Sequence, residues 1–321
     1  MQKFIAKIVV SAFAALPLVA AATPAFPDSP AKLIVPFAGG GPADLVARQV
    51  VEKWSEKLGQ PVIIENQGGG MGVPALNTVI RSAPDGHTVL FAASGNVIAQ
   101  PILNNTEGDI AKLAPVSLVS TSPHVLVVSS KLPIKSVKEL VDYANAHPGT
   151  LNFGSAGVGG VAHLAMEMFK SMTKTDIVHV PYRGTSQVTK DLIAGDVHAL
   201  FSSLPSLKPH MDSGKIRAIG LSAPTKSSDA KGIPTIAEAG VPEFEYTTWY
   251  ATYVPEGTPR PVIEKLNATL REVLSNKALH DKLESQGASL QGSTPDELSK
   301  LMQNESRKWK QVIREANITV N

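Results

Sequence analysis

From Lys32 onward, short runs of aliphatic and β-branched residues alternate with stretches whose apolar positions recur at helical spacing, and glycine, proline or serine marks each junction. That alternation predicts strands joined by crossover helices, an α/β fold. Residues 32–37 predict a strand, Gly39, Gly40 and Gly41 a turn, and 43–58 a helix stopped by Gly59. Further strands are expected at 61–65, at 88–92 after the turn tripeptide Pro84-Asp85-Gly86, and at 125–128, 151–153, 177–180, 198–201, 216–221 and 247–254. Three helix starts carry capping chemistry, a hydroxyl three residues before a carboxylate: Ser136 with Glu139, Thr235 with Glu238, and Thr294 with Glu297 behind Pro295. Residues 259–317 predict two or three packing helices with interspersed charges and no chemistry.

The amino terminus reads differently. Lys3 and Lys7 precede an apolar run from Ile8 to Leu16, and Ala20-Ala21-Ala22 follows. This is the pattern of a secretory signal cleaved near Ala22, and the run is too short for a span of about 20 residues. The expected location is outside the cytoplasm, without direct membrane insertion, because no second spanning segment follows.

Length sets a prior of about two domains, enough to bury a core without staples. No fixed-period repeat, low-complexity tract or Pro/Ser linker divides the chain. The expectation is a two-lobed molecule: 23–122 plus 247–321 as one lobe, 123–246 as the other, joined by hinge strands near 119–125 and 246–250.

Composition excludes several chemistries. The 321 residues include no cysteine, which removes disulfides, thiolate nucleophiles, iron–sulfur clusters and cysteine zinc sites. Loss of Lys3 and Lys7 from the 30 basic side chains leaves 28 against 28 acidic ones. A neutral chain offers no basic field for nucleic acid or an anionic membrane. His87, His124, His147, His163, His179, His198, His210 and His280 show no i, i+4 or HxH pairing, so no metal is expected.

One device recurs: a strand, a loop of small residues, then a helix start. It appears at Phe37-Ala38-Gly39-Gly40-Gly41 with Asp44, at Ser94-Gly95-Asn96, at Ser155-Ala156-Gly157-Val158-Gly159-Gly160, at Tyr182-Arg183-Gly184-Thr185, and at Ser202-Ser203. Parallel strands end on one edge, so these loops converge there, and free N–H groups at helix N-termini favour an anion. One such loop is ordinary turn chemistry; five point to a site for a small carboxylate. His163, one turn into the helix after the 154–160 loop, and Arg183, past a strand end, are the side chains placed near it, each with an equally ordinary structural use.

Nucleotide and catalytic signatures are weaker. Residues 157–162 fit G-x-G-x-x-A, but Asp176 precedes the next strand instead of ending it, where a ribose partner belongs. Residues 70–75 fit the same loose pattern. H-E-x-x-H, the G-x-S-x-G elbow and the Walker sequence are absent. The reading is therefore not an enzyme and no cofactor; the competing hydrolase would pair Ser155 or Ser203 with His163.

KLIVPFAGGGPAD at 32–44, PDGHT at 84–88, VHVPYRG at 178–184, PTIAEAG at 234–240 and PEGTP at 255–259 together resemble the Bug/TctC family, periplasmic solute-binding receptors of tripartite tricarboxylate transporters. The likeness runs in order through essentially the whole mature chain. It implies a type II periplasmic-binding-protein fold, each lobe a mainly parallel sheet flanked by helices, closing on an organic acid held by main-chain amides and ordered waters. Carried over by position, the site is Phe37 to Asp44 with Ser94 and Asn96 in one lobe, and Ser155 to Gly160, His163, Tyr182, Arg183, Gly184 and Ser202-Ser203 in the other. The implied partners are a mono-, di- or tricarboxylate and the membrane permease subunits, with the receptor a monomer. Two departures stand out: Ser202-Ser203 where many members carry Asp-Asn, and Tyr250-Ala251 where aromatic-Gly is usual. Without a carboxylate at 202 a ligand amine lacks a partner, which favours a simple acid over an amino acid. A sensor that docks on a signalling receptor would use the same closed shape.

Overall fold

The computed structural model describes residues 26–182, 184–223, 230, 232–315 and 318–319. The leader expected at 1–22 and the candidate Arg183 lie outside them. In chain order the elements are β1 (Ala31–Val35), α1 (Pro42–Leu58), β2 (Val62–Asn66), α2 (Val73–Ile80), β3 (Thr88–Ala93), α3 (Gln100–Leu103), α4 (Glu107–Ile110), β4 (Leu113–Ser129) and α5 (Val137–Ala146). There follow β5 (Leu151–Ser155), α6 (Val161–Thr173), β6 (Ile177–Pro181), α7 (Thr185–Ala194), β7 (Ala199–Ser203), α8 (Leu204–Asp212), β8 (Ile216–Leu221), β9 (Thr247–Pro255), α9 (Arg260–Leu274), α10 (Lys277–Glu284), β10 (Ser289–Leu290) and α11 (Pro295–Glu315).

The strands run in the order β2-β1-β3-β9-β4-β7-β5-β6, with β8 and β10 also on β4. The expected parallel pairing holds for β1 with β2 and β3, and for β5 with β6 and β7. The sheet is nevertheless mixed, because β9 and β4 run antiparallel to their neighbours. β4 is the shared element. Its residues Leu113 to Pro123 register against β9, and from His124 onward the partners are β7 and β8. The sequence pattern exposed only 125–128 of this 17-residue strand. Pro115, Ser117 and Ser120 interrupt its apolar pattern, two register shifts fall beside them, and Ser117 Oγ accepts from Ser293 N at 3.2 Å and lies 2.8 Å from Leu118 O and 3.1 Å from Ser293 O.

Burial explains the helices. Val46, Ala47, Val50, Val51, Trp54 and Leu58 of α1 line one face against β1, β3 and α9, and Trp54 Nε1 donates to Thr269 Oγ1 at 3.0 Å, so the indole is buried without an orphaned N–H. A second cluster packs Phe153, Phe169, Phe201 and Phe244 with Trp309 of α11, and a third sets Val125 and Val127 against Val188, Leu192 and Leu207 of α7 and α8.

The caps at Ser136 and Thr294 form as expected: Ser136 Oγ accepts from Glu139 N, and Thr294 and Glu297 bond reciprocally. At Thr235 the expectation is corrected. Thr235 and Glu238 exchange the same pair of bonds, but the chain that follows is a turn and not a helix. Gly240, at φ +109°, ends it two residues on, before a helix can propagate. Among the described residues no helix is long and apolar enough to cross a membrane.

Candidate functional site

Parallel register brings the C-terminal ends of β1, β2 and β3 to one edge, and those of β5, β6 and β7 likewise. Tyr250 of β9, paired with Ala93, is in ring contact with Phe37, and Tyr182 N, just past β6, donates to Ser155 O at the end of β5. The helices leaving these edges share a property: α1, α2, α6, α7 and α8 begin at Gly41, Gly72, Gly160, Gly184 and Ser203, and none receives a side-chain cap. By contrast α5 and α10, which start elsewhere, are capped by Ser136 and Asn276. First-turn N–H groups have no partner within their own helix, so uncapped ends are open to an acceptor from outside. Uncapped starts also occur away from these edges, at α4 behind Thr106 and at α9 behind Pro259.

The side chains assigned to the first loop brace it. Asp44 is buried, its Oδ2 accepting from Gly40 N and Arg48 Nε, each at 2.8 Å, and its Oδ1 from Asn66 Nδ2 at 2.9 Å. Arg48 foremost, opposed by burial and aided by Gly40 and Asn66, lowers the Asp44 pKa to about 2. Asn66 Nδ2 also reaches Phe37 O at 3.1 Å. Asp44 therefore braces the backbone of 37–41, whose residues Ala38 and Gly39 are exposed at the tip.

Asn96 works in the same way. Its Oδ1 accepts from Ala93 N and its Nδ2 donates to Met71 O at 3.0 Å, pinning Met71, a non-glycine residue at φ 55°. Ser94 beside it is buried at the end of β3.

In the other half Ser155 is fully buried. Its hydroxyl donates to Gly157 O at 2.9 Å, accepts from Gly157 N at 3.2 Å, and meets His179 Nε2 at 2.6 Å. With the hydroxyl proton on Gly157 O, His179 Nε2 is the donor. His179 stacks on His163 at 4.1 Å and on Phe153 at 4.8 Å. His163 Nδ1 accepts from Gly159 N at 3.0 Å, so that ring carries its proton on Nε2. Burial first, then His179 and Lys170 nearby, depress His163 to about 4, and burial with Lys170 does the same for His179. Both are neutral and serve the backbone of 156–160. Neither is poised as a general base for Ser155, whose oxygen has no open face.

The remaining candidates separate. Tyr182 Oη donates to Asp191 Oδ2 at 2.7 Å, and burial with that carboxylate pushes the phenol up to about 12. Gly184 and Thr185 open α7, and the hydroxyls of Ser202 and Ser203 turn to Ser206. The two halves meet where Gln100 Nε2 donates to Gly159 O at 3.1 Å. A cavity of about 470 Å³ lies elsewhere, over the β4–β9 crossing, between Thr121, Pro123, Trp249, Leu204 and Lys208; none of the assigned loop residues lines it.

Sequence reasoning missed Asn66, Met71, Gln100 and His179, and Gly68, where a Cβ would lie 2.8 Å from Ala38 N of the first loop. His179 stood within the quoted 178–184 motif, and the glycines at 68–70 and 72 flagged a tight loop, but hydrogen-bond partners 20 to 60 residues away leave no local pattern.

A mixed sheet whose two parallel sets share one strand, with uncapped helix ends at the edge of each set, is a periplasmic-binding-protein fold, the fold of solute-binding receptors. The chain belongs to the TctC family: residues 46–318 match the tripartite tricarboxylate transporter family receptor. It is similar to protein BugT of Bordetella pertussis, 34% identical with 90% of each chain covered. Among solved structures it resembles R. palustris Rpa4515 with adipate, at a TM-score of 0.81 and 32% identity over 92% of this chain and 99% of that one. It also resembles MatC from Rhodopseudomonas palustris with bound malate, at 0.76 and 31%, covering 90% of this chain and 100% of that one.

Proposed function

We propose that this protein is an exported, periplasmic receptor that captures a small organic acid and hands it to the permease subunits of a tripartite tricarboxylate transporter. The carrying observation is the set of uncapped helix ends whose loops are fixed from behind by Asp44, Asn96, Ser155 and His163. A carboxylate placed among them accepts main-chain N–H groups already held in position. The lobes are 23–122 with 247–321, and 123–246, turning about the crossing where β4 exchanges β9 for β7 between Pro123 and His124.

Hydrogen bonds to a charged acceptor contribute about 1.5–3 kcal/mol each, so three or four approach the roughly 8 kcal/mol of a micromolar complex before association costs. Closure supplies the remainder, because contacts made only in the closed form shift the equilibrium toward it. No covalent step is involved. Adipate and malate, bound by the two similar receptors, are the first acids to test, and the absence of a carboxylate at Ser202 and Ser203 favours acids without an amine.

Thermal melting with adipate, malate, succinate and citrate tests the capture reading. At a hundredfold excess over Kd a bound acid stabilises by about 2.7 kcal/mol, a rise of about 4 °C for a chain of this size. A panel at millimolar concentration that leaves the melting temperature unmoved overturns it.

A further inference from the structure

Gln100 opens α3 in the half built on β3; Gly159 lies in the loop that leaves β5 in the other half. Their hydrogen bond is buried, with Gln100 only 5% exposed. The Gln100 amide is aimed: Asn104 Nδ2 donates to Gln100 Oε1 at 3.1 Å and to its main-chain oxygen at 2.9 Å, which engages the carbonyl end and leaves the NH₂ end toward Gly159. Gly159 is aimed as well, since His163 holds its N–H from behind. The approach is close enough to require glycine. At φ +72°, a Cβ there would lie 2.7 Å from Gln100 Nε2 and 2.8 Å from Leu103 Cδ1.

We propose that Gln100 is a positioning residue for ligand capture, its amide a latch that closes on the Gly159 carbonyl and holds the two lobes together around the site. The proposal rests on the hinge-closing receptor reading. An amide hydrogen bond tolerates only a few tenths of an ångström, so any rotation about the β4–β9 crossing that parts the lobes breaks it. The pair is neutral and bonds protein to protein, so it favours the closed arrangement whatever acid is present. Apparent affinity scales with the fraction of molecules in the binding-competent form. The latch therefore raises affinity for every ligand by one common factor, while the uncapped helix ends select the anion.

The test uses the absence of cysteine in the chain. Exposed Glu56 on α1 and Lys190 on α7 are replaced by cysteine and spin-labelled, and the distance between labels is measured with and without adipate or malate in three backgrounds. These are Gln100, Gln100→Ala, and Gln100→Glu, which keeps the side-chain length but sets an oxygen against the Gly159 carbonyl. The expected result is a distance distribution that shifts and broadens in both variants before any acid is added, with Kd for the two acids raised by the same factor, about two- to tenfold. Unchanged distributions in both variants overturn the latch, as does a loss of affinity confined to one acid, which would make Gln100 a ligand contact. If no acid binds in any background the capture reading falls, and the ligand-free distances still decide the latch.

Discussion

Nδ1 of His163 accepts the backbone N–H of Gly159 at 3.0 Å, and it can do so only while that nitrogen carries no proton. With His163 and His179 both held near 4, against an ordinary histidine value of 6.5, the unfolded chain binds more protons than the folded one between those limits. Stability then rises with pH across that window, is complete above about 6.5, and is lost as pH falls toward 4. Melting temperatures recorded from pH 7 to pH 4 should decline, and His163→Gln, whose amide oxygen accepts the same N–H without titrating, should decline less steeply. Equal slopes in the two proteins would remove His163 from the account.

The carboxylate brace responds to a different range. Asp44 sits near 2, so its contribution is full above about 4 and fades only as pH falls from there toward 2. At neutral pH, Asp44→Ala strips the acceptor from Gly40 N, Arg48 and Asn66 together and should cost about 2–3 kcal/mol of stability. Chemical denaturation measures that loss, and acid titration should show weakened binding, since Gly40 is then free to move. A fully stable variant that binds normally contradicts the bracing role.

Gly68 lies against the same loop. A Cβ at this position would stand 2.8 Å from Ala38 N and 3.2 Å from Phe37 C, backbone atoms that cannot rotate aside. Gly68→Ala is expected to displace the 37–41 loop, lowering stability by about 1–3 kcal/mol and acid affinity by about tenfold or more. Gly108→Ala, where a Cβ meets nothing within 4 Å, is the matched control. Calorimetric titration of both variants decides it; equal affinities mean the loop tip is not part of the site.

Ser155 and His179 stand 2.6 Å apart, a distance also found between a nucleophile and its base. Burial of Ser155 and its two bonds to Gly157 argue instead for a brace. Ester substrates incubated with the wild-type protein should remain intact, while Ser155→Ala should weaken acid binding about fivefold by loosening the loop, the equivalent of one neutral hydrogen bond. Turnover in the wild type that vanishes in Ser155→Ala would reverse this reading.

Much of the architecture is legible along the chain because it rests on short-range physics. The runs at 32–35, 88–92 and 151–153 declare strands, Gly59 stops α1, and Thr294 with Glu297 opens α11. Thr235 with Glu238 shows the limit: local bonds form as written, but the residues that follow have too few positions before Gly240 to sustain a helix. Strand β4 shows another, since serines and prolines break the apolar pattern of its first part, which becomes a strand because β9 and β10 supply its ladder.

The site divides along the same line. Glycine-bearing loops at strand ends are a property of the sequence, since turn chemistry acts over a few residues, and they mark where peptide groups are exposed. Asp44, Asn96, Ser155 and His163 hold those loops in part through bonds two to four residues long, to Gly40, Ala93, Gly157 and Gly159; the rest of the brace was decided by folding. Their partners, Asn66, Met71 and His179 among them, come from other strands and loops, and Gln100 reaches Gly159 from 59 residues away. Distances of that kind are set by packing, not by the order of residues.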